Sequence, residues 1–139
     1  MEGERPLDDE LQRLREERLR KLEERFTGTP GGGVIEIADG RFQNVLQNHP
    51  ALVIDVWAEW CGPCRMVAPV IEDLARDLAG RVTFGKCDVD QNPRITASFS
   101  ITAIPTLLFF ANGMLVDRVV GALPKEAIRT RVMRAFGVG

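Results

Sequence analysis

The sequence predicts an α/β domain with a central mixed β-sheet flanked by helices, preceded by an N-terminal amphipathic helix. Between residues 34 and 99, apolar strand patterns alternate with helical patterns, which is typical of parallel βαβ units. After residue 105, two apolar runs flank Asn112-Gly113, a dipeptide that favours a two-residue type I′ hairpin. The first half of the sheet is therefore predicted to be parallel and the second half antiparallel.

Residues 1–26 carry nine acids and seven bases, and their large apolar side chains recur along one helical stripe. The stripe consists of Leu7, Leu11, Leu14, Leu19, Leu22 and Phe26. Residues 27–33 are rich in glycine and indicate a flexible linker, which leaves residues 34–139 for the main domain. We expect the stripe to pack on the domain or on another copy of the chain, with a frayed, solvated helix as the alternative.

In the main domain, each strand is predicted from a short apolar run and each helix from the segment between two such runs. The predicted elements are strand 34–37, helix 41–48, strand 52–58, helix 61–79, strand 82–88, a short helix 95–99, strands 106–111 and 115–121, and helix 124–136. Pro69 falls inside the longest helix, where it removes a backbone hydrogen bond and is expected to bend the helix.

The charge balance and the absence of long apolar runs exclude several classes of protein. Eighteen basic and twenty acidic residues give a net charge of −2, which argues against nucleic acid as the main partner. No apolar stretch approaches the roughly 18 residues of a membrane span, and the charged N-terminus lacks the apolar core of a signal peptide. The expected location is therefore the cytoplasm, without a membrane partner.

The residues Trp60-Cys61-Gly62-Pro63-Cys64 follow the apolar run 51–58, so the two sulfurs lie where a strand is expected to lead into a helix. A Cys-x-x-Cys pair in that context is more often catalytic than structural. The alternatives are a static disulfide and half of a zinc site. Zinc needs about four ligands, and only Cys87 and His49 remain, neither of them in a second closely spaced pair. Redox chemistry is the favoured interpretation.

The two cysteines are expected to have different roles. Cys61 lies at the predicted helix N-terminus, where free backbone N–H groups and the helix dipole favour a thiolate, so it should be the attacking sulfur. Cys64 lies one turn further in and should be less exposed, with a higher pKa, which suits it to resolve a mixed disulfide.

Asp55 and Lys86 are charged residues within otherwise apolar strands. Loss of hydration should raise the pKa of Asp55, and its position six residues before Cys61 could let it exchange a proton with Cys64. Lys86 is its possible counterpart. The alternative is that Asp55 and Lys86 only neutralise each other or reach the edge of the sheet.

The other two candidates, Cys87 and His49, are expected to be inert. Cys87 lies inside a predicted strand and should be a buried thiol. His49, beside Pro50 in a predicted loop, has no cysteine or carboxylate at catalytic spacing and should be a satisfied surface histidine.

Over about residues 34 to 137, the chain resembles the thioredoxin family. The segment from Asp55 to Arg65 is similar to the active-site segment of that family almost letter for letter. The later matches fall in the same order as in the family: Lys86, Asp88-Val89-Asp90, Asn92-Pro93, Ile104-Pro105-Thr106 and Val120-Gly121-Ala122. Two features depart from the family pattern, namely the extension before residue 34 and a cysteine at position 87.

The resemblance implies a thioredoxin fold, a cis peptide bond before Pro105, and a backbone at Ile104 that lies beside Cys61. It implies a protein-disulfide reductase that needs no bound cofactor, with Cys61, Cys64, Asp55, Lys86 and Pro105 as its catalytic residues. The implied substrate-binding residues are Trp60, Gly62, Pro63, Ile104, Pro105, Gly121 and Ala122.

The partners implied by the resemblance are disulfide-containing target proteins and a thioredoxin reductase that returns the pair to the dithiol. Two other functions remain open. One is a disulfide isomerase or oxidase, which would have a much higher reduction potential. The other is a docking subunit that uses the thioredoxin surface, with the N-terminal helix as its point of attachment.

Overall fold

The computed structural model describes residues 9–19 and 33–138, in which five strands form one sheet. Helix α1 spans residues 9–19. The strands are β1 (Ile35–Glu36), β2 (Ala51–Trp57), β3 (Thr83–Asp88), β4 (Thr106–Ala111) and β5 (Met114–Val120). The other helices are α2 (Phe42–Asn48), α3 (Gly62–Asp77), α4 (Pro93–Ser98) and α5 (Lys125–Phe136), with a 3₁₀ turn at Asp39–Arg41.

The sheet is mixed, as the sequence predicts, with the strand order β1-β3-β2-β4-β5. β1 and β2 both pair with β3 in parallel. β4 is antiparallel to β2, and β5 is antiparallel to β4. Strand β2 therefore lies at the centre of the sheet, and the residues that follow it project from the carboxyl end of a strand that is paired on both sides.

The sheet carries an apolar core on each face, because successive side chains of a strand point to opposite sides. Val53 and Phe84 belong to the core beneath α3 and α5, together with Ile71 and Leu74. The other core lies beneath α2 and α4 and contains Leu52, Ile54, Val56, Phe42 and Ile95. By this alternation, Asp55 points to the same face of β2 as Val53, towards α3.

The predicted and observed boundaries agree closely, and the N-terminus of α4 receives a tertiary contact. The helix begins at Pro93, close to the predicted start near residue 95. The carboxylate of Asp39 accepts hydrogen bonds from the backbone N–H groups of Arg94 (3.0 Å) and Ile95 (2.9 Å). This carboxylate satisfies backbone N–H groups that a helix N-terminus leaves unbonded. Because Asp39 lies more than fifty residues before α4 in the sequence, a local sequence pattern does not predict the contact.

The hairpin at Asn112-Gly113 is confirmed. Both residues have a positive φ, 51° and 82°, which is the combination that a type I′ turn requires. The turn joins the antiparallel strands β4 and β5.

The described part of the N-terminal helix is exposed. Leu11, Leu14 and Leu19 have 45%, 53% and 60% of their surfaces open to solvent, so within residues 9–19 the domain does not bury the apolar stripe. Leu7, Leu22, Phe26 and residues 27–32 of the predicted linker lie outside the described residues. No helix in the described ranges is both long enough and apolar enough to cross a membrane.

Gly85→Ala is expected to lower the free energy of unfolding by about 1–3 kcal/mol, the usual cost of overpacking a core. A Cβ at Gly85 would lie 2.7 Å from Cγ1 and 2.8 Å from Cδ1 of Ile37, a side chain that is itself buried. Urea unfolding measures the change. Gly40→Ala is the matched control because a Cβ there meets no atom within 4 Å. Equal stability of the two variants would contradict the prediction.

Candidate redox site

The two cysteines lie at the junction between β2 and α3. The chain leaves β2 at Trp57 and turns through a hydrogen bond from the N–H of Cys61 to the carbonyl of Ala58, 3.1 Å long. Helix α3 then begins at Gly62, so Cys61 is its N-cap residue. The strand-to-helix position that the sequence predicts for the pair is therefore confirmed.

Cys61 and Cys64 are joined by a disulfide, with their Cα atoms 5.4 Å apart. The backbone N–H of Cys64 also donates a hydrogen bond to the Sγ of Cys61, at 3.2 Å. This donor is one of the N–H groups that the first turn of a helix leaves unpaired, and such groups stabilise negative charge on a sulfur. In the disulfide form, the backbone at the start of α3 thus already places a donor at the Sγ of Cys61.

Exposure does not distinguish the two cysteines in the disulfide form. The sequence predicts a less exposed Cys64, but Cys61 is 4% and Cys64 is 3% exposed. The physical reason is that the disulfide holds both sulfurs in one small cluster with Ala58, against which Trp57 and Ile104 pack.

Asp55 is buried in β2 at 4% exposure, and its Oδ1 has no hydrogen-bond partner among the described residues. Burial raises the pKa of this carboxyl to about 7, and the charge of Lys86 opposes the rise. The predicted direction of the shift is confirmed. Asp55 and Cys64 both line a cavity of about 450 Å³, which we call the inner cavity.

Lys86 is the direct cross-strand neighbour of Asp55, but no ion pair joins the two side chains among the described residues. Its Nζ is 3.8 Å from Oε1 of Glu36 and 5.7 Å from the centroid of the Trp57 ring. One part of the alternative, an ion pair that neutralises Asp55 and Lys86, is not found among the described contacts, whereas the other part fits Lys86, whose ammonium reaches Glu36 on the edge strand β1. Lys86 acts on Asp55 through the field of its charge.

The Ile104–Pro105 peptide bond is cis, as the resemblance implies. Ile104 packs against the cysteine cluster, and Gly121 donates a backbone hydrogen bond of 2.9 Å to the carbonyl of Pro105. The segments around residues 104 and 121 are thus brought together. Gly62, Pro63 and Ala122 are exposed, as a contact surface requires.

Trp60 is 70% exposed and borders a groove of about 430 Å³ next to Ile104. The sequence reasoning missed the residues that complete this groove: Val89, Thr96, Ile101, Thr102 and Ala103. It also missed Asp90, whose Oδ2 accepts a hydrogen bond of 2.9 Å from the indole N–H of Trp60. Asp90 belongs to a segment that matches the family, but no local pattern pairs it with a residue thirty positions away.

Cys87 is a free thiol with no exposed surface, and burial raises its pKa to about 12. Its predicted burial is confirmed. The prediction that His49 is a surface histidine with its hydrogen bonds satisfied is wrong, because the ring is half-buried and its Nε2 has no partner among the described residues. Its Nδ1 lies 3.1 Å from Oγ1 of Thr83. In the described ranges, no group of three His, Cys, Asp or Glu side chains is arranged to hold a metal ion.

Comparison with known proteins gives one consistent result. The thioredoxin family model matches residues 33–134. A thioredoxin of Chlorobaculum thiosulfatiphilum is 43% identical over 107 residues, which cover 76% of this chain and 99% of the relative. A thioredoxin of Staphylococcus saprophyticus is 47% identical over 93 residues, which cover 67% of this chain and 88% of the relative.

Among solved structures, the chain is similar to a point mutant of a thioredoxin from Halobacterium salinarum, with a TM-score of 0.72 and 27% identity. The match covers 78% of this chain and 96% of that one. Because the family model spans most of the chain and the cysteine pair closes a disulfide at a helix N-terminus, the chain belongs to the thioredoxin family and is a thiol-disulfide oxidoreductase.

Proposed function

We propose that the chain reduces disulfides in target proteins through Cys61 and Cys64. The Cys61 thiolate attacks one sulfur of the target disulfide, forming a mixed disulfide and releasing the other target sulfur as a thiolate. Cys64, deprotonated, then attacks Cys61, which forms the Cys61–Cys64 disulfide and releases the second target thiolate. Each cycle thus transfers two electrons to the target and oxidises the pair.

The observation that supports this direction of attack is the N-cap position of Cys61. Its Sγ accepts the N–H of Cys64 at the start of α3, where backbone donors and the helix dipole favour the thiolate. Cys64 lies inside the first turn and lines the inner cavity with Asp55. Cys61 is therefore the better first nucleophile and Cys64 the better resolving thiol.

We propose Asp55 as the base that takes the proton from Cys64. A buried carboxyl with a pKa of about 7 is half-ionised near neutral pH, so it can both accept and return a proton. The shared inner cavity supports transfer through a water molecule. Lys86 would then tune the base from the neighbouring strand, and Pro105 would help to place the target beside Cys61.

We propose that the groove beside Trp60 and Ile104 binds the target as an extended peptide. The exposed backbone near Ile104 could pair with a strand of the target, which is a common mode of peptide recognition. Gly62, Pro63, Gly121 and Ala122 would complete the contact surface around the disulfide.

Recycling requires an electron donor, and we propose a thioredoxin reductase for this role. A reducing compartment also fits a protein whose disulfide must be reopened after every cycle, so we propose the cytoplasm as its location. Membership of the thioredoxin family supports the reductase as the electron donor, and the need to reopen the disulfide supports the cytoplasmic location.

The test is a reductase-coupled turnover assay on insulin together with a measured reduction potential. We expect turnover and a potential near the roughly −270 mV that characterises thioredoxin itself. A potential near the roughly −120 mV of a strong disulfide oxidant would instead assign the chain to the oxidase class.

We also propose that the N-terminal helix associates with a second copy of the chain. Leu11, Leu14 and Leu19 are exposed along one side of α1, which supports a contact role for the stripe. We expect sedimentation to give the mass of a dimer for the full chain and the mass of a monomer for a chain that starts at Gly33. Monomeric masses for both proteins would contradict self-association.

A further inference from the structure

Three charged side chains lie in a row across the sheet. Glu36 of β1 is the cross-strand partner of Lys86 in β3, and Lys86 is in turn the partner of Asp55 in β2. Side chains at paired positions point to the same face of a sheet, here the face covered by α3. We call these three residues the charge row. It runs from an edge strand to the buried carboxyl of the redox site.

Exposure falls steeply along the charge row. The side chain of Glu36 is 83% exposed and that of Lys86 is 44% exposed, whereas Asp55 is 4% exposed. The ammonium of Lys86 lies 3.8 Å from Oε1 of Glu36, while Oδ1 of Asp55 has no partner among the described residues. Lys86 therefore pairs with the outer carboxylate and not with the inner one.

We propose that Glu36 is a positioning residue that holds Lys86 towards the edge of the sheet and so limits its pairing with Asp55. This arrangement keeps the positive charge of Lys86 away from Asp55 and so disfavours the ionised form of Asp55. Without Glu36, Lys86 loses its carboxylate partner and keeps the Trp57 ring, so the unpartnered oxygen of Asp55 becomes an available carboxylate partner for its ammonium. Loss of the Glu36 charge is therefore expected to favour ionisation of Asp55.

The other titratable or charged groups around Asp55 lie on α3 and on the turn before it. Those that line the inner cavity or a second cavity of about 310 Å³ beside Asp55 are Glu59, Cys64, Arg65, Glu72 and Arg76. Strand β4 places an apolar residue, Leu107, opposite Asp55. A change at Glu36 leaves all of these groups in place, which isolates the contribution of the charge row.

The test is a pH titration of the Asp55 carboxyl by carbon-13 NMR in the oxidised full-length protein, where neither Cys61 nor Cys64 titrates. Glu36→Gln is expected to lower the pKa of Asp55 by about 0.3–0.7, the range that an exposed ion pair supplies. Glu36→Asp keeps the charge and is expected to restore part of the parent value. Glu126→Gln, which removes an exposed carboxylate that lines neither cavity, should leave the pKa unchanged.

A second arm tests whether Lys86 carries the effect. In a Lys86→Gln background, Glu36→Gln is expected to shift the pKa of Asp55 by less than half as much as in the parent chain. An unchanged or raised pKa in Glu36→Gln, or an equal shift in both backgrounds, would overturn the proposal.

The inference rests on the proposed role of Asp55 as the base, but its test does not depend on turnover. If Asp55→Asn left the rate of the resolving step unchanged, the proposed base role of Asp55 would be wrong. The titration would still decide whether Glu36 affects the pKa of Asp55 through Lys86. If the base role holds, the pH profile of resolution should move to lower pH in Glu36→Gln together with the pKa of Asp55.

Discussion

The Cys61→Ser variant is expected to reduce insulin disulfides more slowly than the parent chain by a factor on the order of 10³ or more. A serine hydroxyl is not ionised near neutral pH and does not form the mixed disulfide, so the first step of the cycle is lost. The measurement is turnover with dithiothreitol and, separately, with a thioredoxin reductase. Wild-type rates in either assay would contradict the assignment of Cys61 as the nucleophile.

Cys64→Ser separates attack from resolution. This variant keeps the N-cap thiol of Cys61, so it is expected to form the mixed disulfide and then to accumulate it, because no second thiol releases the target. Non-reducing electrophoresis and mass spectrometry detect the trapped adduct. If Cys64→Ser turned over normally while Cys61→Ser trapped the target, the two roles would be reversed.

Cys87→Ser is the matched control for both cysteine variants. Cys87 is fully buried in β3, and burial holds its pKa at about 12, so it contributes no thiolate at neutral pH. Its substitution is expected to leave turnover unchanged, although a buried hydroxyl lowers stability by about 1–3 kcal/mol. A comparable loss of activity in all three variants would indicate damage to the fold and not to the chemistry.

Asp55→Asn is expected to stabilise the protein above pH 7. In the folded state the pKa of Asp55 is raised from 3.8 to about 7, so the native protein binds a proton that the unfolded chain releases. The stability from this group is fully present below about pH 4, decreases as the pH rises, and is lost above about pH 7. A pKa difference of roughly three units corresponds to a change of about 4 kcal/mol in the free energy of unfolding.

Urea unfolding of the oxidised protein between about pH 4 and pH 8 measures this effect. The free energy of unfolding of the parent chain should fall across that range more steeply than that of Asp55→Asn, which has no carboxyl to ionise. Glu126→Gln is the control, because it removes an exposed carboxylate on α5 and should retain the parent slope. Parallel slopes for the parent and Asp55→Asn would contradict the raised pKa.

Asp55→Asn is also expected to slow the release of the target while leaving the first attack nearly unchanged. General base catalysis by a positioned group contributes about 10²–10⁴-fold, which sets the scale for loss in the resolving step. Rapid mixing with a fluorescent disulfide substrate separates the two steps. An equal loss in both steps would assign Asp55 to the structure of the site and not to proton transfer.

The sequence by itself determined the chemistry and the fold class. The spacing of Cys61 and Cys64 at a strand-to-helix junction is a local property. The ability of Asn112-Gly113 to adopt the positive φ angles of a type I′ turn is local as well. The alternation of apolar runs with helical segments likewise predicts a mixed sheet, because burial of one or both faces dictates the pattern within each element. The position of Asp55 within an apolar strand was enough to predict that burial raises its pKa.

The tertiary structure alone decided which distant residues meet at the site. The register of three strands aligns Glu36 with Lys86 and Asp55, folding brings Asp90 to the indole of Trp60, and Asp39 caps α4 across more than fifty residues. The physical reason is that strand order and register depend on the packing of whole faces against each other, which no local pattern records. That packing sets the electrostatic surroundings of Asp55, whereas the two closely spaced cysteines can be identified from the sequence alone.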